Sequence, residues 1–445
     1  MNILILFADS GNPMRTTVED LIYSFRRYSE HRCFYVNLVP RPLPSYLHQV
    51  PFDLVIFHTT FLSYRWSPEL FATLREKAEP LKHSAAVKIA LPQDEFIHTD
   101  ILCDFINDFG VNHVFSVAPE SEWEKIYASV DRQKVTFHRI LTGYLDERTI
   151  SRVKEIARSV TERPIDVGYR AWHAAPWLGR HGLLKVKIHN LFREKAPKAQ
   201  LTVDISTEEK DTLLGDEWYK FLLRCKYTIG VEGGASILDR DGKIKKRTED
   251  YLDVHPGASF EEIEAACFPG LDGYLNLMAL SPRHLEACLT RTCQVLVEGQ
   301  YNGILEPDKH YIELKRDLSN IDAVVETLKQ DQLREGIAER AYRDIVESGR
   351  YTYRNFVDSV TKTTLGSVEP QGSFLAASIL SRIVFHRMWL EDKYASLYSL
   401  WFYPKYVYPV RSKLRLRTRL RALLINILPN QVLFFLRRRR QTKDV

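Results

Sequence analysis

The chain has 445 residues, of which 45% are hydrophobic and 27% are charged, and its net charge is +5. These are the proportions of a soluble globular protein, and the length predicts two or three domains with a substantial core. The six cysteines are scattered without a C-x-x-C pair, which argues against a disulfide framework or a usual zinc site.

The first part of the chain alternates strand and helix patterns. Strands are predicted at Asn2 to Phe7, Phe52 to Phe57, Ala85 to Leu91 and Val114 to Ser116, and helices at 16–28, from Ser67-Pro68, and at Ile101 to Phe109. This alternation predicts a parallel sheet, whose ligands bind at the carboxyl ends of the strands. The first residues lack a basic leader and a cleavage site, so we expect a cytosolic protein.

The alternation restarts near Arg163-Pro164. Strands are predicted at Ile165 to Tyr169, Tyr227 to Val231 and Tyr311 to Leu314. Helices are predicted at Leu183 to Phe192, Pro282 to Leu296 and Leu333 to Val346, and another is predicted to begin after Asn320, which caps it. A second α/β unit therefore follows the first. The expected domains are 1–163, 164–365 and a helical extension, 366–445.

The end of the chain is strongly basic. Residues 393–445 contain thirteen Lys or Arg and one Asp, a net charge of +12, so the preceding 392 residues carry −7 of the total of +5. Residues 405–440 interleave these charges with leucines on one helical face, a pattern typical of a helix lying in a membrane interface. The longest uncharged run has fifteen residues, whereas a membrane span needs about 20.

Three interpretations of this basic segment are open: an anionic membrane surface, RNA or DNA, and a solvated helix face. We favour the membrane, since a phosphate-binding surface does not need the bulky aliphatic residues and Phe434-Phe435. The expected location is the cytoplasmic, inner face of the cell membrane, and no nucleic-acid partner is expected.

Three stretches carry a family resemblance. SPRHLEACLTRTCQVLVEGQYNGILEPDKHYIELKRDLSN (281–320) resembles the donor-binding stretch of group 1 glycosyltransferases of the GT-B fold, with an S-x-R-x-x-E-A helix motif followed by a Y-I-x-L-x-x-D strand. RPIDVGYRAWHAAPWLGRHG (163–182) resembles the opening of their second domain, and GVEGGASILDRDGK (230–243) resembles the donor loop of a bacterial subgroup. The resemblance covers residues 85–360.

The resemblance implies an α/β fold of two Rossmann-like domains facing a cleft, here with a basic helical extension. It implies transfer of a sugar from a nucleoside diphosphate sugar to a hydroxyl of a glycan or lipid-linked acceptor, in cell-envelope polysaccharide biosynthesis. No cofactor is expected, and no metal need be invoked if arginines and backbone amides neutralise the diphosphate.

The matched motifs suggest the donor-site residues. Glu286 suits a ribose diol, because a carboxylate accepts two hydroxyl protons. Arg283 lies one helical turn earlier and, with Arg170 and Lys185, could hold the pyrophosphate. The remaining candidates are the loop residues Glu232, Gly233, Gly234 and Ser236, whose amides could form an anion nest, and the pair His310 and Tyr311. Each arginine could instead form a surface salt bridge, Glu286 could be a solvated helix residue, and His310-Tyr311 an ordinary strand-edge pair.

Three residues of the first unit follow predicted strands and are candidates for acceptor chemistry: His58, Asp94 and Glu95. One of them could be the general base of an inverting enzyme, or they could only orient the acceptor in a retaining one. Asp94 and Glu95 could equally cap the next helix. The stereochemistry stays open.

Asp239-Arg240-Asp241 is either an Asp-x-Asp metal motif of the other glycosyltransferase fold or a turn. We favour the turn, because Asp241-Gly242 is a common turn signal and because the chain has a second α/β unit.

Two other functions remain alternatives. One is a non-catalytic scaffold that binds sugar nucleotide or polysaccharide at the membrane, and the other is a nucleic-acid-binding enzyme that uses the basic tail. The chain has no G-x-S-x-G motif, no G-x-x-x-x-G-K-[ST] loop, and no G-x-G-x-x-G after its first strand, so a hydrolase of that type, a P-loop enzyme or an NAD-linked enzyme is disfavoured.

Overall fold

A computed structural model describes residues 1–10, 14–366, 379–388 and 390. The chain divides into a larger compact body, Met1–Pro44 and Phe52–Gln371, and a smaller one, Ser45–Pro51 and Gly372–Val445. In the smaller body, residues 379–388 are helical and the Arg387 guanidinium lies 4.3 Å from the ring centroid of Tyr46. The predicted amphipathic segment 405–440 lies outside the described residues. None of the described helices is long and apolar enough to cross a membrane.

The first sheet is parallel and has the strand order β2-β1-β3-β4-β5-β6. Its strands are β1 (Asn2–Phe7), β2 (Arg32–Asn37), β3 (Leu54–Phe57), β4 (Val87–Ala90), β5 (His113–Ser116) and β6 (Thr136–Arg139). Its helices are α1 (Thr16–Tyr28), α2 (Thr59–Leu62), α3 (Pro68–Ala78), α4 (Thr99–Asp108), α5 (Trp123–Ile126) and α6 (Glu147–Ala157). Every residue of β1 is buried, as expected for a central strand covered on both faces.

The second sheet is also parallel and has the order β13-β12-β9-β7-β8, beside a two-stranded ladder of β10 and β11. The strands are β7 (Ile165–Arg170), β8 (Val203–Ser206), β9 (Cys225–Gly230), β10 (Gly233–Ala235), β11 (Leu277–Ala279), β12 (Cys293–Val297) and β13 (Ile312–Leu314). The helices are α7 (Gly179–Lys198), α8 (Asp216–Leu223), α9 (Lys243–Val254), α10 (Phe260–Cys267), α11 (Pro282–Leu289), α12 (Ile321–Thr327) and α13 (Asp331–Ala341), with a π-helix at Tyr342–Glu347.

The last helix of the larger body, α14 (Tyr353–Leu365), returns to the first sheet. It packs on α1, where the rings of Phe25 and Phe356 lie 6.0 Å apart. Beside it, the Leu145 amide donates to Tyr351 O and the Tyr353 amide donates to Leu145 O. The two sheets are also joined elsewhere, by an isolated bridge between Ile97 and Asp239.

The two parallel sheets with their helices confirm the prediction of an α/β fold with two Rossmann-like halves. The predicted boundary near residue 163 lies in the link between α6 and β7.

One predicted element is wrong. The helix expected at Pro282 to Leu296 is two elements, because α11 ends at Leu289 and β12 begins at Cys293. Arg291 takes a left-handed φ of 50° in the link, which interrupts a helix. The β-branched residues that follow occupy the strand between β9 and β13. The apolar spacing alone did not distinguish a buried strand from a continuing helix.

Candidate active site in the cleft between the two sheets

A cleft with about 660 Å³ of empty space, open to solvent, lies where the first sheet's α1 begins and the second sheet's strands β7 and β8 end. The first unit contributes Arg15, Thr16 and Thr17, and the second contributes Arg170, Ala171, Trp172, Ser206, Glu208, Asp211, Thr212, Leu213, Leu214, Gly215, Trp218, Ser281, Pro282, Arg283 and Glu286. Its position at the carboxyl ends of parallel strands is where ligands bind in open α/β sheets.

Helix α11 brings two predicted residues into this cleft. Pro282 takes the first helical position after Ser281, a favoured helix start, and Arg283 and Glu286 then lie one turn apart. Glu286 is 6% exposed and accepts hydrogen bonds from Trp218 Nε1 at 2.7 Å and Tyr219 OH at 3.5 Å. Burial raises its pKa, while the Trp218 bond and the charge of Arg283 oppose this.

Arg283 and Arg170 lie together beside the second sheet. Arg283 donates to the backbone oxygen of Arg170, and its guanidinium lies 5.3 Å from the Trp218 ring centroid. Arg170 donates to Asp204 Oδ1 at 2.7 Å and to two backbone oxygens, and it lies 4.3 Å from the Phe221 ring centroid. Arg170 is therefore already paired, and Arg283 carries the less neutralised charge.

Two further cations have no salt bridge among the described residues: Lys185, on α7, and Arg15, before α1. Burial lowers the pKa of Lys185, as does the charge of Arg283. Burial and Arg283 also lower the pKa of Arg15, while Glu286 and Asp94 oppose this. These cations come from both α/β halves and lie in a partly desolvated place, near the carboxylates of Glu208, Asp211 and Glu286 that line the cleft. Grouped cations without salt bridges can bind an anion there.

Asp94 faces this cluster from the first unit. Its side chain is exposed to solvent although protein atoms surround it. Burial among these protein atoms raises the pKa of Asp94, and the charges of Arg65, Lys185 and Arg15 lower it. Its φ of 53° lies in the left-handed region, where a residue other than glycine is strained. Of the three acceptor-side candidates, Asp94 is the one whose charge interacts with Arg15, a lining residue of the cleft, although Asp94 does not itself line it.

Glu95 and His58 lie inside the first unit instead. Glu95 is fully buried and accepts hydrogen bonds from Ser116 Oγ at 2.5 Å, from the Val117 amide at 3.0 Å and from Tyr127 OH. His58 is 1% exposed, its Nδ1 accepts from the Thr60 amide at the start of α2, and burial lowers its pKa to about 3. Neither Asp94 nor Glu95 is the cap of α4, whose N-cap is His98.

The predicted glycine loop does not line the cleft. Gly233 and Gly234 pair with Ala279 and Met278 in the ladder of β10 and β11. A Cβ at Gly234, where φ is 123°, would lie 1.8 Å from Leu277 O, so this position requires glycine. The pairing of β10 with β11 therefore accounts for Gly234 without an anion nest.

The carboxylate and the hydroxyl of this loop have protein partners. Glu232 accepts from the amides of Gln300 and Tyr301 at 3.2 and 2.7 Å. Ser236 Oγ donates to Asp272 Oδ1 at 2.6 Å. Both side chains therefore hold the loop to neighbouring segments.

His310 and Tyr311 are buried away from the cleft lining. His310 Nδ1 accepts from the Glu306 amide at 3.1 Å, and its Nε2 lies 3.2 Å from Asp344 Oδ2. The Tyr311 ring centroid lies 5.3 Å from that of Tyr301. The pair connects the 306–311 segment to the π-helix and to its neighbours.

The Asp-Arg-Asp stretch forms the predicted bend into α9. Asp239 accepts from the amides of Ile244 and Lys245 at 3.2 and 2.8 Å, and Asp241 accepts from the Lys243 amide at 3.1 Å. Gly242 is the N-cap of α9, with φ 80°. Across the part of the chain that the structure describes, no group of three or more His, Cys, Asp or Glu residues is placed to hold a metal ion.

Of the predicted residues, Arg170, Arg283 and Glu286 line the cleft. Lys185 and Asp94 do not line it, but their charges interact with each other and with Arg15. The residue that sequence reasoning missed is Arg15. Its signal was present, because it follows the loop after the first strand, where α/β proteins bind anions.

No family model and no curated protein matches the sequence. The structure is similar to that of HepE from Anabaena in complex with UDP-glucose, with 11% identity over 83% of this chain and 100% of that chain and a TM-score of 0.46. It is also similar to sucrose-phosphate synthase from Thermosynechococcus elongatus (8% identity, 82% and 98% coverage, TM-score 0.45). A third similar structure is a DNA-modifying β-glucosyltransferase (12% identity, 82% and 99% coverage, TM-score 0.43).

Proposed function

We propose that this protein is a glycosyltransferase that moves a sugar from a nucleoside diphosphate sugar to a hydroxyl of a glycan or lipid-linked acceptor. The observation that carries this proposal is the cluster of Arg15, Lys185 and Arg283 beside buried Glu286, in a cleft between two Rossmann-like units. None of these three cations forms a salt bridge among the described residues, so each is available to a diphosphate. Guanidinium groups bind phosphate oxygens bidentately.

Each residue then has a chemical task. Arg15, Lys185 and Arg283 neutralise the diphosphate, and Glu286 accepts hydrogen bonds from the ribose hydroxyls. In the transfer step, the bond from the anomeric carbon to the diphosphate oxygen breaks and its electron pair stays on the diphosphate. The acceptor oxygen bonds to the anomeric carbon, and its proton passes to a base. Asp94 is the candidate for that base in an inverting reaction, because its side chain is exposed near Lys185 and Arg15 and general bases must reach the proton they remove.

Binding of UDP and UDP-glucose, measured by thermal shift, tests the donor site first. A ligand at 100 times its Kd stabilises a protein by about 2.7 kcal/mol. We expect stabilisation of the wild type, a weaker response of Arg283→Ala, and a wild-type response of Arg132→Ala, whose exposed side chain pairs with Glu124 outside the cleft. No response to any nucleoside diphosphate or its sugar would contradict the proposal.

Turnover separates the enzyme from a non-catalytic scaffold. Release of UDP from UDP-glucose, with and without glycan acceptors, is expected for the wild type and is expected to be lost in Asp94→Asn while UDP still binds. Binding without turnover of any tested nucleoside diphosphate sugar, in the presence of acceptors, would favour the scaffold.

We also propose that the basic segment 405–440 holds the enzyme to an anionic membrane surface, where lipid-linked acceptors of envelope polysaccharides would be met. Its support is the sequence pattern of clustered Lys and Arg with large apolar residues. Flotation with anionic vesicles, compared with an RNA shift for the full chain and for a chain lacking 405–445, tests this. Stronger binding to RNA than to vesicles would refute it.

A further inference from the structure

Arg65 is a fully buried arginine that has no role in the proposed donor site. It lies in the short 3-10 turn Ser63–Trp66 after α2 and is 0% exposed. No salt bridge among the described residues includes it. Buried arginines are rare unless they are paired, and burying a charge costs several kcal/mol. The position of this charge therefore requires an explanation.

The guanidinium binds chiefly one segment of the chain, residues 93–97. Its Nη2 donates to Gln93 O at 2.7 Å and to Asp94 O at 2.5 Å, and its Nε donates to Ile97 O at 3.2 Å. The fourth bond, from Nη1 to Leu62 O at 3.0 Å, stays within its own turn. A rigid, planar group with five donors can hold several carbonyls of one loop at once.

The segment that Arg65 holds is strained. Asp94 and His98 have φ values of 53° and 48°, and such conformations cost about 1–3 kcal/mol each unless the surroundings enforce them. The same segment joins the second sheet's unit, since the His98 amide donates to Asp239 O at 2.8 Å and the Asp239 amide donates to Phe96 O at 2.7 Å. Strain of this kind concentrates where a precise geometry is needed.

We propose that Arg65 is a positioning residue that clamps residues 93–98, so that the Asp94 carboxylate is held near Lys185 and Arg15. The effect of the clamp on catalysis rests on the proposed function, in which Asp94 takes the acceptor proton. The existence of the clamp does not rest on that function. Arg65 acts on Asp94 through its backbone bonds and through its charge, because it is the foremost of the three cations that hold down the pKa of Asp94 against burial.

Hydrogen exchange tests the clamp without any ligand. Arg65→Lys keeps the charge but loses the planar fork, and a buried carbonyl left without its donor costs about 1–3 kcal/mol, which corresponds to roughly 5- to 150-fold faster exchange. We expect this increase in the peptide covering 93–98, including the His98 amide, while β1 keeps its protection. Unchanged exchange at 93–98, or an equal rise throughout the chain, would overturn the proposal.

The pH dependence of UDP-glucose turnover tests the charge. A base must be ionised, so activity falls as pH drops through the pKa of Asp94. Arg65→Met removes a cation that lowers this pKa, so the acid limb of the pH–rate profile is expected to move to higher pH. Arg65→Lys is expected to leave that limb in place and to lower kcat, with KM for UDP-glucose within about twofold of wild type.

The controls separate the two proposals. Arg132→Met, at an exposed position, should match the wild type in both measurements. If the wild type does not turn over UDP-glucose at all, the proposed function fails, and exchange at 93–98 still decides whether Arg65 clamps the segment. If Arg65→Met does not fold, the exchange of Arg65→Lys still decides it. If Arg65→Met folds and the acid limb of its pH–rate profile does not move, the claim that the charge of Arg65 lowers the pKa of Asp94 is refuted.

Discussion

Replacing Arg15 by alanine should weaken nucleotide binding and stabilise the free protein at the same time. Arg15 lines the cleft from the first unit and has no salt bridge among the described residues. Burial and the charge of Arg283 both act against its charged form. In the free protein its removal therefore relieves repulsion, whereas in the complex it removes a ligand of the diphosphate.

The magnitude follows from the kind of interaction. A hydrogen bond to a charged group contributes about 1.5–3 kcal/mol, which corresponds to roughly a 10- to 150-fold rise in the Kd for UDP. The stabilisation of the free protein should be smaller, because the Arg15 side chain is open to solvent on one side and water screens exposed charges.

Titration calorimetry with UDP and chemical unfolding without ligand measure the two effects on one protein sample. Raising the salt concentration should weaken UDP binding more in the wild type than in Arg15→Ala, because fewer charges then meet the ligand. A variant that binds UDP within twofold of wild type and is less stable without ligand would refute the reasoning, since Arg15 would then be a structural residue.

Three further predictions concern neighbouring groups. The pKa of Glu286 is raised in the folded protein, so the stability that this carboxyl contributes falls as pH rises above its unfolded-state pKa. Glu286→Gln should therefore be more stable than the wild type at neutral pH, as measured by urea unfolding. The same variant should bind UDP more weakly, as measured by calorimetry. Trp218→Phe removes the 2.7 Å hydrogen bond to this carboxylate and should cost about 1–3 kcal/mol in the same unfolding assay. Gly234→Ala would place a Cβ 1.8 Å from Leu277 O at φ 123° and should cost at least about 1–3 kcal/mol, whereas a Cβ at Gly257 meets nothing within 4 Å and Gly257→Ala should leave the unfolding midpoint nearly unchanged.

The sequence predicted the elements whose apolar patterns are strong and local. The strand Asn2–Phe7 and the helix Thr16–Tyr28 were predicted correctly, because one is uniformly apolar and the other has helical spacing. Strands β2 and β6 escaped prediction because they begin or end in polar residues and become strands by pairing with neighbours distant in the chain. Pairing of that kind is set by tertiary contacts that propensity does not contain.

The site was predicted only where one motif carries several of its residues. Arg283 and Glu286 lie on the same helix, so their spacing already placed them together. Arg15 and Asp94 meet them only because two separate sheets are brought face to face, a distance relation that the sequence does not express. Glu95, next to Asp94, is fully buried and bonded within the first sheet's half instead, a difference between neighbouring carboxylates that the sequence does not express.

The basic residues in and near the cleft have opposite effects on the stability of the ligand-free protein. Arg15, Lys185 and Arg283 repel one another and lose hydration, so together they destabilise the protein without a ligand. A diphosphate would relieve that repulsion, and because Arg15 belongs to one unit and Arg283 to the other, binding it would also strengthen the contact between the two sheets. Arg65 acts in the opposite sense, since its bonds fix the segment that joins the sheets at Asp239 before any ligand arrives. Under the proposed function, Arg65 would fix the acceptor side in advance, and the nucleotide would complete the donor side.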